Sequence, residues 1–516
     1  MASRTGAMTA RATAAFFGLA VAALTLGSAA LTAGHATDWS LGPADGAALR
    51  FTLWQAGLSA LISCLLAIPL ARALARRRFA GRALLIRLLA APFLLPVVVA
   101  VLGLLAVFGR AGPVNAALTG LCLPPLSIFG LHGVVLAHVF LNLPLATRMI
   151  LQSWQSIPAE RFRLAEALGM PPGAQFRHLE LPMLRGVLPG AMATVFLLCL
   201  TSFAVALTLG GGPRASTIEL SIYQALRFEF DLGRAALLAT MQFALCAAVT
   251  LATLRLTTGA VFGPGLGRGL EIPRPGGWRC GLDAVALGLA CAFLLGPLIA
   301  ITARGLPALT EMPPGVWPAL ARSVAVAIGS ALLAATVGLC LALSVARGQT
   351  WLEVTAMLPL SASGLVIGTG LFLAVHPAIK PETLALPVTL AVNAAMALPY
   401  LFRLLLPETR TLLADYGRLS DSLGLSGLNR LRLVALPRLA RPLGFGTGLA
   451  AALSMGDLGV IALFAGERTE TLPLLIQHLM GAYRMEAAAG AALVLVAASL
   501  ALFWAFDRWG AKHAAA

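Results

Sequence analysis

Long apolar segments alternate with short polar ones along the whole chain. Twelve segments of about 20 residues carry almost no charge, and as helices they are long enough to cross a hydrocarbon core of about 30 Å. They lie at 13–33, 51–72, 84–108, 127–149, 187–210, 236–258, 281–303, 323–346, 354–375, 384–405, 442–465 and 487–506. The pattern predicts an all-α membrane protein that crosses the bilayer about twelve times.

Charge is scarce, and its placement predicts the orientation of the chain. Of 516 residues, 59% are hydrophobic and 11% are charged, whereas soluble proteins carry roughly 25% charged residues. Arginines gather before the first span and after every second span, and the opposite connections hold acids. By the positive-inside rule, we expect a multi-pass protein of the bacterial inner membrane with both termini in the cytoplasm. The net charge of +16 is therefore assigned to membrane topology and not to nucleic acid.

One polar pattern occurs twice. RLAEALGMPPGAQFRHLELP occupies 163–182 (loop 1), and RLSDSLGLSGLNRLRLVALP occupies 418–437 (loop 2). Upstream of each loop, LSALISCLLAIPLARALAR from Leu58 aligns with GSALLAATVGLCLALSVAR from Gly329. Six spans lie on each side of a linker rich in Gly, Pro and Arg. The predicted domains are 1–260, the cytoplasmic linker 261–279, and 280–516, as two halves that run in the same direction.

Each loop predicts a short amphipathic helix at the cytoplasmic surface. A glycine can end the preceding helix in the left-handed conformation, the next helix can start at Pro or Ser, and a second proline is expected to end it. In loop 1 these residues are Gly169, Pro172 and Pro182, and in loop 2 they are Gly424, Ser426 and Pro437. The exposed side chains are expected to be Phe176, Arg177 and Leu179 in loop 1, and Leu431, Arg432 and Val434 in loop 2. Two equal copies favour docking sites for a two-fold partner over helices that rest on the membrane.

Both loops resemble the EAA loop of ABC-importer permeases, which reads EAA, three residues, Gly, nine residues, then Ile-x-Leu-Pro. Here the leading Glu is replaced by Arg163 and Arg418, and an acid follows three positions later as Glu166 and Asp421. The resemblance implies a fold of the type I ABC importer permease class, with two copies of an ATPase subunit bound to the loops. Whether the displaced acids take the role of the usual Glu stays open.

A narrower resemblance concerns the substrate. Segments 51–82, 136–152, 209–231 and 453–464, and the segment from Thr471, are similar to the fused permeases of thiamine and thiamine pyrophosphate importers. Permeases of Fe(III) importers share the fused layout but match these segments less well. The resemblance implies a periplasmic thiamine-binding protein as a partner, with thiamine or its phosphate esters as cargo. It also implies that ATP and Mg bind to the ATPase subunits, with no cofactor on this chain.

The residues themselves argue against an enzyme. No G-x-x-x-x-G-K-[ST] loop for nucleotide phosphates occurs, and the only lysines are Lys380 and Lys512. No pairing of cysteines or histidines predicts a metal site. A secondary transporter with parallel halves remains an alternative, although its coupling would need more ionisable residues inside the spans than Asp457.

Five polar residues are candidates for the translocation path or an outer gate. Asp457 lies among apolar residues, where a carboxylate is costly and therefore a functional candidate. It can neutralise a cationic substrate or serve as a structural hydrogen-bond acceptor. Glu219, Tyr223, Gln224 and Gln477 follow the fifth and eleventh spans, where they can form a gate or simply a solvated surface.

Overall fold

The computed structural model describes residues 2–37, 39–89, 95–212, 215–256, 277–425, 427–466 and 468–514. Most of these residues lie in helices, and turns connect them. Most of the predicted linker 261–279 and the predicted helix start at Ser426 lie outside these ranges. Within them, eleven helices are long and apolar enough to cross a membrane, or up to twelve if one bent pair counts as a single span. The prediction of an all-α, multi-pass membrane protein is confirmed.

Wide π turns connect several of the helices into longer units. The helices of the first half are α1 (Ala2–Ala22), α2 (Ser28–His35), α3 (Pro43–Arg76), α4 (Arg82–Leu88), α5 (Val97–Phe108), α6 (Pro113–Gly120), α7 (Leu131–Gln155), α8 (Ala159–Ala167), α9 (Pro172–Gln175), α10 (Leu181–Leu200), α11 (Phe203–Leu209), α12 (Ile218–Gln224) and α13 (Leu232–Leu256). Those of the second half are α14 (Trp278–Ala308), α15 (Val316–Ala346), α16 (Trp351–Met357), α17 (Gly364–Val375), α18 (Ala385–Ser422), α19 (Gly427–Arg430), α20 (Leu436–Met455), α21 (Gly459–Phe464), α22 (Leu472–Gly481) and α23 (Met485–His513).

The third and ninth predicted spans differ from the structure because proline and a helix cap interrupt them. The third, predicted at 84–108, crosses only from Val97, which follows Pro96 directly; proline suits the start of a helix and not its interior. The ninth, predicted at 354–375, bends by 91° between α16 and α17. There the Ser363 hydroxyl accepts a hydrogen bond from the N–H of Val366 at 3.1 Å and so starts a new helix.

The first helix of each half packs against the other half. Helix α1 approaches α16 so closely that a Cβ on Gly18 would lie 2.5 Å from Leu352. Helix α14 approaches α5 in the same way, and a Cβ on Gly103 would lie 2.9 Å from the carbonyl oxygen of Pro297. The two halves are therefore interlocked in space and are not separate bodies.

Candidate docking loops and translocation path

The two loops have the same backbone. Gly169 and Gly424 both have a φ of +63°, the left-handed conformation that glycine adopts most readily. In each loop, the glycine N–H and the next N–H bond back to the preceding helix in the manner of a Schellman motif. The bonds are Gly169 to Glu166 (2.9 Å) and Met170 to Ala165 (2.9 Å), and Gly424 to Asp421 (3.1 Å) and Leu425 to Ser420 (2.9 Å).

Proline does not end the short helix of either loop. Helix α9 continues through the π turn Phe176–Glu180 into α10, and α19 continues through Leu431–Ala435 into α20. The expectation that Pro182 and Pro437 end these helices is wrong, because the wider turn just before each proline accommodates a residue that lacks an N–H. Each loop is thus a helical extension of the span that follows it.

The apolar residues expected at the exposed surface turn inward instead. They are half-buried and pack against helices of their own half; in loop 1 they are Phe176 and Leu179, and in loop 2 Leu431 and Val434. These four residues therefore do not form the exposed surface that the sequence predicted. Arg177 and Arg432 are exposed, as expected. Four further charged residues are also exposed; they are Arg163 and Glu166 in loop 1, and Arg418 and Asp421 in loop 2.

Four leucines that the sequence analysis did not single out occupy the exposed surface. Leu164 and Leu168 in loop 1 are 60% and 68% exposed, and their counterparts Leu419 and Leu423 in loop 2 are 53% and 64% exposed. Each pair lies one helical turn apart and therefore on one face. The signal was available, since both loop sequences share these leucines at their second and sixth positions. Exposed apolar residues in matching positions are typical of interaction surfaces.

An ion-pair cluster lies behind loop 1. Glu180, the last residue of its π turn, is fully buried, and its carboxylate accepts hydrogen bonds from Arg72, at 3.0 Å, and from Arg76. Both arginines belong to the last turns of α3. The Arg72 guanidinium also lies over the ring of Phe176, 5.2 Å from its centroid. Sequence analysis had assigned these arginines only to membrane topology.

The helix that follows each loop breaks at the same point, so the predicted spans 187–210 and 442–465 are not continuous. Helix α10 gives way to α11 after Leu200, and α20 gives way to α21 after Met455. Asp457 lies in the second break. Its carboxylate faces the side chain of Asn393, whose amide donates to Ser454 at 3.0 Å, and the backbone N–H groups of Gly459, Val460 and Ile461. One of its oxygens, Oδ2, is buried and has no partner within the described residues.

The two breaks meet where the halves face each other. A Cβ on Gly459 would lie 3.9 Å both from the ring of Phe203, in the first half, and from the Asp457 carboxylate. The Phe203 ring contacts that of Tyr223 edge to face at 5.2 Å, and Tyr223 contacts the exposed Phe228 at 5.7 Å. A line of aromatic rings thus runs from the breaks to the surface opposite the loops.

The remaining path candidates occupy different environments. Glu219 is buried; the side-chain amide of Gln242 donates a hydrogen bond to it at 3.1 Å, and the hydroxyl of Ser363, from the second half, lies near its carboxyl. Burial raises the pKa of Glu219 to about 8, so the carboxyl is largely protonated at neutral pH. Gln224 is exposed, and Gln477 is partly buried. The described residues contain no group of three or more His, Cys, Asp or Glu that could hold a metal ion.

Known proteins are similar to this chain over most of its length. Residues 64–263 match the family model described as the binding-protein-dependent transport system inner membrane component. The thiamine transport system permease protein of Salmonella typhimurium is 40% identical over 480 residues, which cover 90% of this chain and 89% of that protein. The chain belongs to this family of transport permeases. The corresponding permeases of Brucella abortus (42% over 482 residues, 90% and 88%) and Escherichia coli (40% over 474 residues, 89% and 88%) support the same conclusion. Neither alternative, an Fe(III) permease or a secondary transporter, is favoured.

Proposed function

We propose that this permease carries thiamine, and its phosphate esters, from a periplasmic binding protein into the cytoplasm as part of an ABC importer. The relatives named as thiamine transport system permease proteins are 40–42% identical across about nine-tenths of both chains. The observation that carries the mechanism is the pair of loops, which share a backbone conformation and present matching exposed leucines on one end of the bundle.

Two copies of an ATPase subunit dock on the two loops, one on each. Leu164 and Leu168, with Leu419 and Leu423, are the apolar contacts, and the exposed Arg177 and Arg432 add a cation at each site. ATP and Mg bind to those subunits and not to this chain. In this arrangement, the loop end of the bundle and both chain termini face the cytoplasm, in agreement with the arginine distribution.

Movement of the ATPase subunits reaches the membrane through continuous helices. Because each loop runs through a π turn into its span, a displacement of the loop displaces α10 or α20 directly. The helix breaks near Phe203 and Asp457 lie at the far ends of these two helices. When ATP binding draws the loops together, the breaks change their relative position, and hydrolysis resets them.

The substrate path runs past these breaks. Thiamine carries a thiazolium cation, and aromatic faces and carboxylates both attract organic cations. Asp457 and the ring of Tyr223 are the proposed contacts for this charge. Glu219, Gln224 and Gln477 are proposed at or near the outer gate, with Glu219 closing the contact between the halves through Ser363.

Docking is tested by co-purification of the ATPase with the permease. The double variant Leu168→Asp with Leu423→Asp places a charge at each proposed contact and is expected to release the ATPase. Leu121→Asp is the control, since Leu121 is 72% exposed but lies between α6 and α7, at the end of α7 opposite loop 1. Full retention of the ATPase by the double variant would rule out these leucines as contacts.

Substrate is tested by uptake into cells with and without this chain. Labelled thiamine is expected to enter only when the chain is present, and its uptake should stop when ATP is depleted while the proton gradient is maintained. Uptake of ferric iron should not change. Iron uptake that depends on the chain would overturn the proposed substrate.

A further inference from the structure

The end of α3 is linked to two other parts of the molecule through ion pairs. Arg72 and Arg76 hold the buried Glu180 of loop 1, as described above. The next residue, Arg77, bonds to Asp283 of α14 at 2.7 Å. Since α14 is the first helix of the second half, the end of α3 joins loop 1 to a helix of the opposite half.

Among the residues that the structure describes, the corresponding contact of loop 2 has no such buried ion pairs. In the alignment of α3 with α15 and of loop 1 with loop 2, the positions of Arg72, Arg76 and Glu180 are taken by Leu343, Arg347 and Ala435. Leu343 packs in an apolar cluster with Leu412, Leu431, Val434, Ala435 and Leu439. The pKa of Arg347 is lowered by burial and by the neighbouring cations Arg430 and Arg11, and Asp421 opposes this lowering only in part. The Asp421 side chain is 71% exposed, so it does not replace the buried carboxylate of loop 1.

These two kinds of contact respond differently to force. A charge-assisted hydrogen bond is short and directional, and separation of the buried Glu180 from both arginines would leave charges without partners in an apolar environment. An apolar contact is not directional, so its surfaces can shift against each other while they remain buried. Loop 1 is therefore fixed to α3 in one geometry, whereas loop 2 can move relative to α15.

We propose that Arg72 and Arg76 are positioning residues that lock loop 1 to α3 through Glu180. Helix α3 and, through Arg77, helix α14 then follow the ATPase subunit on loop 1, while loop 2 transmits movement mainly through α20. The two loops are unequal in coupling ATP hydrolysis to transport. This inference rests on the proposed function, because it needs an ATPase on the loops.

The decisive variant is Arg72→Leu with Glu180→Ala, which gives loop 1 the residues that loop 2 has at these positions. It removes the buried carboxylate together with Arg72 and leaves Arg76 in place, which is the arrangement that loop 2 has with Arg347 and Ala435. In proteoliposomes with ATPase and binding protein, we expect normal assembly and continued ATP hydrolysis. The number of substrate molecules transported per ATP is expected to fall by about fivefold or more.

A conservative variant separates positioning from general stability. Arg72→Lys keeps the positive charge but loses the planar guanidinium that bonds to Glu180 and covers Phe176. Its transport per ATP is expected to lie between that of the wild type and that of the double variant, with unchanged ATPase binding. The control is Arg410→Gln with Glu353→Gln, which removes an exposed ion pair of 3.2 Å in the second half and should leave the ratio unchanged.

The outcomes distinguish this inference from the proposed function. If the wild-type permease binds no ATPase, the proposed function itself fails. If the wild type is coupled and both the Arg72→Leu/Glu180→Ala and the Arg72→Lys variants transport as much substrate per ATP as it does, only the positioning role is overturned. If the Arg72→Leu/Glu180→Ala variant does not assemble, the transport per ATP of the Arg72→Lys variant decides whether the positioning role holds.

Discussion

Loop 1 and loop 2 have the same shape but are fastened differently. Both turn at a left-handed glycine, and both pass through a π turn into the next span. Behind loop 1, a buried carboxylate holds two arginines, whereas an alanine and leucines occupy the same place behind loop 2. Both loops retain the left-handed glycine and thus the same backbone conformation, whereas the residues that pack behind the loops differ between the two copies.

At the opposite end of the bundle, the two halves again share a backbone contact and differ in a neighbouring residue. The N–H of Ile218 donates to Thr52 at 3.0 Å in the first half, and the N–H of Leu472 donates to Ser323 at 2.8 Å in the second. The residue after Ile218 is the buried Glu219, whereas the residue after Leu472 is Pro473. In both places the first half buries a carboxylate that the second half lacks.

The largest effect is expected from Glu180→Ala alone. It leaves Arg72 and Arg76 without their buried partner, and loss of one member of such a cluster lowers the free energy of unfolding by about 3–5 kcal/mol. Thermal unfolding of the purified permease in detergent measures the loss. Ala435→Gly, at the same position of loop 2, should lower it by only about 1 kcal/mol. Equal losses of unfolding free energy in the two variants would show that the contacts behind loop 1 and loop 2 do not differ in strength.

Glu219→Gln is expected to stabilise the permease at high pH. The folded carboxyl has a pKa of about 8, against an ordinary value of 4.5, so between these values the folded state holds a proton that the unfolded state releases. Wild-type stability therefore falls as the pH rises from 4.5 to 8, and glutamine cannot ionise. The variant should gain about 4 kcal/mol at pH 8 and almost nothing at pH 4. A gain that is independent of pH would contradict this explanation.

Gly169→Ala and Gly424→Ala should have equal effects. Both glycines are left-handed, and no atom lies within 4 Å of a Cβ at either position. Backbone strain alone then lowers the free energy of unfolding by about 1–2 kcal/mol in each case. Gly173→Ala, at an ordinary helical position with the same free space, is the control and should not destabilise the protein. Clearly unequal losses would mean that the loops differ in more than their fastening.

The smallest effect is expected from Asp421→Asn. Arg430 bonds to Asp421 at 2.9 Å inside loop 2, but the aspartate side chain is 71% exposed. Exposed pairs contribute about 0–1 kcal/mol and are weakened by salt. Unfolding should thus change little, and any change should disappear at high salt. A loss as large as that of Glu180→Ala would mean that loop 2 is also held by charge.

The repeat, its direction and the left-handed turns of the loops were predictable from the sequence, because apolar length and glycine act locally. Which face of each loop is exposed was not predictable from the sequence. The pattern of loop 1 predicted Phe176 at the exposed surface, but the Arg72 guanidinium lies over its ring and Phe176 is half-buried. Leu164 and Leu168 occur at the same positions in both loop sequences, but their exposure depends on how α8 packs against the bundle.

The sequence by itself determined that the protein is helical and crosses the membrane many times, since the lengths of the apolar segments suffice for that, whereas its function as a permease came from the resemblance of its loops to those of ABC-importer permeases. Only the tertiary structure decided that α1 and α14 cross to the opposite halves, that Glu180 lies between Arg72 and Arg76, and that Asp457 and Phe203 come together. These contacts join residues far apart in the chain. Their energies depend on burial and distance, and no local pattern encodes either quantity.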